Sequence, residues 1–455
     1  MPIQSIDPHT LTLRRSYPEN TPDECSHIIE RCCTAQSSWI STSIEERTAL
    51  AEALAEQLMN RLDTHATIIT SEMGKPVAES RGEVQKCATL CRYYARESAA
   101  ALADRQIETD YPLSLVRYEP LGIILAIMPW NFPYWQVFRA AIPAMMAGNA
   151  VILKHASNTT ECAYAIEAVF LEAGFPEDLF RVLAVRGENT ASLIMHPHVA
   201  AVTFTGSNAA GEKIAAIAGA QVKKTVLELG GSDPSIVLAD ADLELAATKC
   251  VQGRMLNAGQ SCIAAKRILV HESVAEPFVK LVTRKISEIV VGNPMESTTQ
   301  MGPLATEAIR REIDHQVCKS IEAGATCLLG GHPLDRTGCY YAPTLLTDVK
   351  PGMPVWNEET FGPVMCVTTF HDEPEAIRLA NLTQWGLGSS VYSRDTDRAF
   401  ELGKKIQVGT CAINDFVKSD TRISFGGVKK SGYGRELGIE GIREFTNIKA
   451  YNITK

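Results

Sequence analysis

Apolar and polar positions change rhythm several times along the chain. From Ser43 to Leu62 the apolar residues recur at helical spacing, with Ser43 as N-cap and Glu46 three residues on, the pattern of a capping box. Further helices are predicted through Ala99, then Ile107–Arg117 reads as an exposed or edge strand because Pro112 lies inside it. From Gly122 short apolar runs alternate with helical stretches. Ile123–Ile127, Val151–Leu153, Phe180–Val185, Val199–Phe204 and Thr225–Leu229 are the runs; Trp135–Met146, Thr160–Ala173 and Asn208–Ala218 are helices between them. Such alternation predicts a parallel sheet covered on both faces. A second series begins near Pro234, with Ser235–Leu238, the helix Asp242–Leu256, Ala265–Val270 and the helix Ser273–Val290, and continues to about Ile413. Ala450–Ile453 is a final strand candidate. The expected fold class is α/β.

Composition narrows this picture. At 455 residues the chain is long for one core, so two or three domains are expected. The net charge is 44 − 53 = −9, which gives no electrostatic reason to expect nucleic acid or an anionic membrane as partner. No run reaches the roughly 18–20 apolar residues of a membrane span. Met1–Arg15 has no apolar core, so a secretory signal is not expected. The cysteines number 13, an odd and irregular set that reads as reduced cytosolic thiols without metal-like spacing.

Five short runs carry candidate chemistry. Cys262 ends Gly259-Gln260-Ser261-Cys262, just after an apolar helical stretch. A nearby helix terminus can lower a thiol's pKa and make it a nucleophile; a buried structural cysteine is the other reading. Glu228 closes an apolar strand before Gly230-Gly231, where a carboxylate can act as general base on water or simply face solvent. Asn131 is clamped in Pro129-Trp130-Asn131-Phe132-Pro133, where its amide and the Cys262 N–H can hold an oxyanion; a plain turn asparagine is the alternative. Thr205-Gly206-Ser207 opens a helix after an apolar strand, with Gly211 four positions after Ser207, an anion site without the usual glycine fingerprint. Glu358-Glu359-Thr360-Phe361-Gly362-Pro363 offers a carboxylate for ribose hydroxyls and a ring for a nicotinamide, or else a charged loop.

Together these runs resemble the aldehyde dehydrogenase superfamily. PWNFP, the strand ending at Lys154, FTGS, LELGG, GQSC, EETFGP and FGGVKKSGYGRE occur in the family's order over essentially the whole chain. NFPYWQVFRAA and LKHASN are similar to its compact succinate-semialdehyde dehydrogenase branch. The resemblance implies that Cys262 attacks an aldehyde, Asn131 and the Cys262 N–H hold the oxyanion, and Glu228 activates water. It implies that Trp130, Lys154, Ser157, Gly206, Ser207, Gly211, Glu359 and Phe361 serve the cofactor. Where many relatives that use NAD carry a glutamate this chain has Ser157, which implies NADP over NAD, since a carboxylate would repel a 2′-phosphate. Arg139, with Ser261 and Ser419, is implied in binding a substrate carboxylate. The second arginine of some members is replaced by Leu256, and Ala264 removes the adjacent-cysteine redox switch.

The same resemblance implies two parallel-sheet α/β domains plus a small β oligomerisation element. A cofactor-binding domain would span 1–106 and 122–229, a catalytic domain 230–435, and the oligomerisation element 107–121 and 436–455. A cytoplasmic homodimer or dimer of dimers acting on a small aldehyde is expected. The alternatives are a dehydrogenase of aliphatic or amino aldehydes, a thiol esterase or acyl-transfer enzyme, and a non-enzymatic structural protein.

Overall fold

Every side chain of Ile123–Met128 is buried, as a strand covered on both faces requires. This computed structural model describes residues 2–454. In chain order, β1 (Ile3–Ile6) and β2 (Leu13–Tyr17) form a hairpin, and β3 (Arg105–Ile107) pairs with β4 (Leu113–Pro120). Then β5 (Ile123–Met128), β6 (Ala150–His155), β7 (Phe180–Val182), β8 (Val199–Thr205) and β9 (Lys224–Glu228) run parallel in the order β9-β8-β5-β6-β7. A second sheet follows, of β10 (Asp233–Val237), β11 (Ala265–His271), β12 (Thr326–Leu329), β13 (Thr344–Thr347), β14 (Val364–Phe370), β15 (Gly388–Tyr392) and β16 (Thr410–Ile413). Its order is β12-β13-β14-β11-β10-β15-β16, all parallel except the edge strand β12. Last, β17 (Gly432–Tyr433) returns to pair antiparallel with β9 in the first sheet, and β18 (Thr446–Ile453) pairs with β4 in a three-stranded antiparallel sheet.

Local rules account for the framework. The Ser43 hydroxyl accepts from the Glu46 N–H at 3.1 Å and the Glu46 carboxylate accepts from the Ser43 N–H at 2.8 Å, closing the box that starts the helix Ile44–Asn60. The stretch predicted as one strand, Ile107–Arg117, is instead broken between β3 and β4. Pro112 has no N–H for a ladder, and the Thr109 and Ser114 hydroxyls bond at 2.6 Å across the turn. The final strand also starts earlier than the apolar pattern suggests, at Thr446, because β4 supplies a register-matched partner from Thr446↔Pro120 to Ile453↔Leu113.

Topology decides where a ligand can lie. In the first sheet the chain runs outward from β5 to β6 and β7, then returns on the other side through β8 and β9. The loops after β5 and β8 therefore diverge, leaving a crevice at the C-terminal edge of the strands. The N-terminal ends of β10, β11 and β14 lie side by side in the second sheet, and the links into them carry Gly230-Gly231, Cys262 and Glu359. The first of these links runs from the C-terminal end of β9 in the first sheet, and on it the Gly231 N–H donates to Glu359 Oε1 at 3.0 Å, tying it to the link into β14.

Candidate active site

The helix Leu243–Met255 stops short of Cys262, and three residues in left-handed backbone follow: Asn257 (φ 53), Ala258 (φ 52) and Gly259 (φ 73). Gly259 is forced, since a Cβ there would strike the Gly362 carbonyl. Asn257 and Ala258 hold a conformation that costs about 1 kcal/mol or more each for residues with a Cβ. What over-determines it is a set of hydrogen bonds. The Asn257 N–H donates to Glu79 Oε2 at 2.9 Å, and Asn257 Nδ2 donates to the Asn131 carbonyl at 2.8 Å. Arg254, fully buried, donates from Nη1 to Gly259 O at 3.2 Å, from Nη2 to Thr360 O at 2.9 Å and also to Gly362 O. After the turn, Lys266 Nζ donates to Ser261 O at 2.8 Å and Cys262 O at 2.7 Å.

Cys262 itself is half-buried. Burial pushes its thiol up to about 12, against the pull of Arg139 and Lys266, with Glu359 and Glu228 raising it further. Asn131 is buried beside it; Nδ2 donates to Gln260 O at 3.1 Å, and Oδ1 has no partner. Glu228 closes β9, buried, with both carboxylate oxygens unpartnered. Burial pushes its pKa well above the carboxylate range, the charge of Glu436 adds to that, and Arg139 and Arg435 oppose it. An unpaired buried carboxylate is costly to keep and is suited to taking a proton.

Two cavities meet at Cys262 and Gln136. The larger, about 630 Å³, follows the crevice between the two sheets and is lined by Trp130, Asn131, Gly206, Ser207, Glu359 and Phe361 among others. The Trp130 and Phe361 rings meet edge to face at 5.6 Å. Ser207 stands at the N-cap of the helix Asn208–Ala220 but makes no capping bond, so the first-turn N–H groups remain open to an anion. Backbone passes close to Glu359 at Gly230, where a Cβ would press on that carboxylate. Burial raises the Glu359 pKa, while Lys266 at 3.7 Å and the Gly231 N–H lower it. Lys154 is the penultimate residue of β6, beside Ile127 of β5 and buried, and burial lowers its ammonium pKa against the pull of Glu19. Ser157 follows in a short 3₁₀ turn, and Gly211 faces the Leu229 side chain; these three do not line the cavity wall.

The smaller cavity, about 290 Å³, is walled by Phe132, Trp135, Phe416 and Phe425 with Arg139, Ser261 and Ser419 at its polar positions. Arg139 is buried and ion-paired with the buried Glu436, and its Nη2 donates to Thr205 Oγ1 at 3.4 Å. Sequence reasoning did not single out Glu436, Gln136, Asn257, Lys266, Glu79 or Lys86. A signal existed for the helix Val77–Ala101, whose Glu79, Glu83 and Lys86 recur at one-turn spacing and all face this cavity.

The profile described as aldehyde dehydrogenase family matches residues 1–451. A probable NADP(+) succinate-semialdehyde dehydrogenase of Synechocystis sp. is 46% identical over 449 residues, covering 99% of each chain. NADP(+) succinate-semialdehyde dehydrogenase 1 of Mycobacterium tuberculosis is 44% identical over 452 residues, again covering 99% of each. The crystal structure of succinic semialdehyde dehydrogenase from Streptococcus pyogenes, in complex with NADP+ as the cofactor, superposes with a TM-score of 0.97 at 33% identity over 100% of both chains.

Proposed function

This chain belongs to the aldehyde dehydrogenase family, and from that premise we propose that it oxidises succinate semialdehyde to succinate with NADP as the hydride acceptor. The observation that carries the reading is the junction of two cavities at one thiol: a roomy crevice on the cofactor side and a small aromatic-walled cavity on the other. The crevice fits a dinucleotide, with uncapped helix N–H groups for a pyrophosphate, a carboxylate at Glu359 for ribose hydroxyls, and Phe361 and Trp130 to flank a flat ring. Gly206 and Ser207 bring backbone to the pyrophosphate, and Gly211 keeps that helix close to the strand end. Lys154 and Ser157 meet the adenosine ribose and its 2′-phosphate, and NAD is the weaker alternative.

The chain's own groups then divide the work. The Cys262 sulfur attacks the aldehyde carbon, and its proton passes to solvent water as the C–S bond forms. The developing alkoxide is held by the free N–H of Asn131 Nδ2 and the Cys262 main-chain N–H. NADP, which Ser207, Glu359 and Phe361 would hold, would supply the acceptor for the hydride that leaves the thiohemiacetal carbon. Glu228 draws a proton from a water that attacks the resulting thioester, and succinate leaves as the thiol regains a proton. Arg139, Ser261 and Ser419 orient the substrate carboxylate.

The same proposal divides the chain into a cofactor unit (1–106 and 122–229), a catalytic unit (230–435) and an oligomerisation element (107–121 and 436–455). The sheet β18-β4-β3 supports a homodimer or dimer of dimers, since Ile448 and Ile453 of its edge strand are exposed. All thirteen cysteines are free, which supports a reducing, cytoplasmic setting, and no helix among the described residues is long and apolar enough to cross a membrane.

Initial rates with succinate semialdehyde and with butyraldehyde, each with NADP and NAD, test the reading. A strong preference for the carboxylated aldehyde with NADP is expected. Equal rates on the two aldehydes would leave a general aldehyde dehydrogenase.

A further inference from the structure

Most of the charged groups around the small cavity sit in ion pairs, and Glu79 and Lys86 do not. Lys75 is ion-paired with Glu83, whose other oxygen accepts from the Tyr134 and Trp135 N–H groups at 2.8 and 2.9 Å. Arg139 is paired with Glu436. Lys418 is paired with Asp415 at 2.7 Å, a carboxylate it shares with Lys249 at 3.0 Å. Glu79 is engaged by the Asn257 N–H, and burial pushes its pKa up to about 7. Lys86 is different. Its Nζ donates to Ser419 Oγ at 2.7 Å and lies 4.2 Å from the Trp135 ring centroid, and neither partner carries a charge.

The groups that reach Lys86 do not supply the missing anion. From its own helix come Glu83 and Cys87, from the helix Trp135–Met146 comes Arg139, and from the loop before β17 come Ser419 and Asp420. Glu83 is spent on Lys75 and two N–H groups, and Asp420 is held by both arms of Arg422 at 2.8 and 2.7 Å. Among the described residues Lys86 is thus the one cation of the cavity wall with no carboxylate partner, half-buried on an aromatic surface. In that low-dielectric setting a carboxylate is attracted far more strongly than in water.

We propose that Lys86 supplies the charge that the substrate's distal carboxylate meets, with the Ser419 hydroxyl as the adjacent hydrogen-bond donor. The inference rests on the succinate semialdehyde reading and names the residue that gives it specificity. Arg139 is already ion-paired with Glu436, so its part is to orient the carboxylate, while Lys86 provides the net attraction. Burial and Arg139 pull the Lys86 ammonium down to about 8, opposed by Cys87, Glu83 and Asp420. The charge is therefore present at neutral pH and lost in the alkaline range.

The test compares Lys86→Met, which keeps a stem over Trp135, with Lys86→Arg, which keeps the charge. The quantity measured is kcat/KM for succinate semialdehyde divided by kcat/KM for butyraldehyde. Lys86→Met should lower that ratio by about tenfold or more, mainly through the KM of the semialdehyde, and Lys86→Arg should restore most of it. Succinate, used as a dead-end ligand and followed by calorimetry, should bind Lys86→Met more weakly by a similar factor. In the unaltered enzyme the same ratio should fall between about pH 7 and about pH 9.5 as the ammonium deprotonates, a readout that needs no variant. A ratio that stays put in Lys86→Met, or that does not fall with pH, overturns the assignment. Failure of the substrate reading looks different: the unaltered enzyme would then show no preference for the semialdehyde at all.

Discussion

Asn257 Nδ2 donates to the Asn131 main-chain carbonyl at 2.8 Å, so a residue in strained left-handed backbone holds the loop that presents the oxyanion amide. The same Nδ2 also donates to Gln260 O at 3.2 Å, the oxygen that accepts from Asn131 Nδ2. Asn257 is a positioning residue on this geometry. Asn257→Ala should lower kcat by roughly 10- to 100-fold, because a small misplacement of an oxyanion donor is expensive in the transition state. If Asn257 acts through Asn131, the loss should largely vanish in an Asn131→Ala background. Additive losses in the double variant would show that the two act separately.

Glu228 has no partner for either oxygen, and its pKa stands well above the usual carboxylate range. A base must be ionised to work, so kcat should fall as pH drops through that raised pKa. The acid limb should accordingly begin at higher pH than an exposed glutamate would give. Glu228→Gln should abolish that limb and cut turnover by about 10²- to 10⁴-fold while leaving hydride transfer competent. Rapid mixing should then show a burst of about one NADPH per subunit followed by a stall, with the thioester on Cys262 visible by mass spectrometry. Cys262→Ala should show no burst and still bind NADP. A Glu228→Gln enzyme without a burst would move the base's role to an earlier step.

Ser157 opens a 3₁₀ turn directly after the strand that ends in Lys154 and His155. Ser157→Glu would set a carboxylate where the proposal places a 2′-phosphate. Like charges in a partly buried site repel strongly, so kcat/KM for NADP should fall by about tenfold or more while that for NAD holds or rises. The ratio of the two constants measures it directly. No movement in the ratio would mean that another group reads the phosphate.

Much of this was legible because local chemistry carries it. The buried run Ile123–Met128, the capping box at Ser43 and Glu46, and the glycine beside Cys262 all announce themselves within a few residues. Arg139 marks where that legibility ends. Its helix and its place on the cavity wall follow from the neighbouring residues, but its ion partner Glu436 lies in the C-terminal tail and is brought in only when β17 returns to β9. Lys86 and Ser419 meet for the same reason, through packing between elements far apart in the chain. A charge's partner is set by tertiary proximity, and no periodicity records it. The break between β3 and β4 is not legible in the pattern, because Pro112 fits an edge strand as well as the end of a turn.

Arg254 ties the nucleophile turn to the segment that presents Glu359 and Phe361. Its fork reaches Gly259 O, Thr360 O and Gly362 O, and its Nε reaches Val364 O at 2.5 Å. Burial pulls its pKa down to about 10, so the guanidinium stays charged through the neutral range with carbonyl dipoles as its counter-charge. A lysine has three donors on a flexible stem and cannot match four carbonyls that a planar fork now reaches. Arg254→Lys should therefore destabilise the fold by about 2–4 kcal/mol in urea unfolding, since buried acceptors lose their donors. Kinetically, kcat should fall and the KM for NADP should rise together, because the thiol turn and the cofactor loop lose their common anchor. The KM for succinate semialdehyde should move least. A change confined to the semialdehyde KM would instead make Arg254 a substrate contact, which would contradict the way its donors turn away from the cavity.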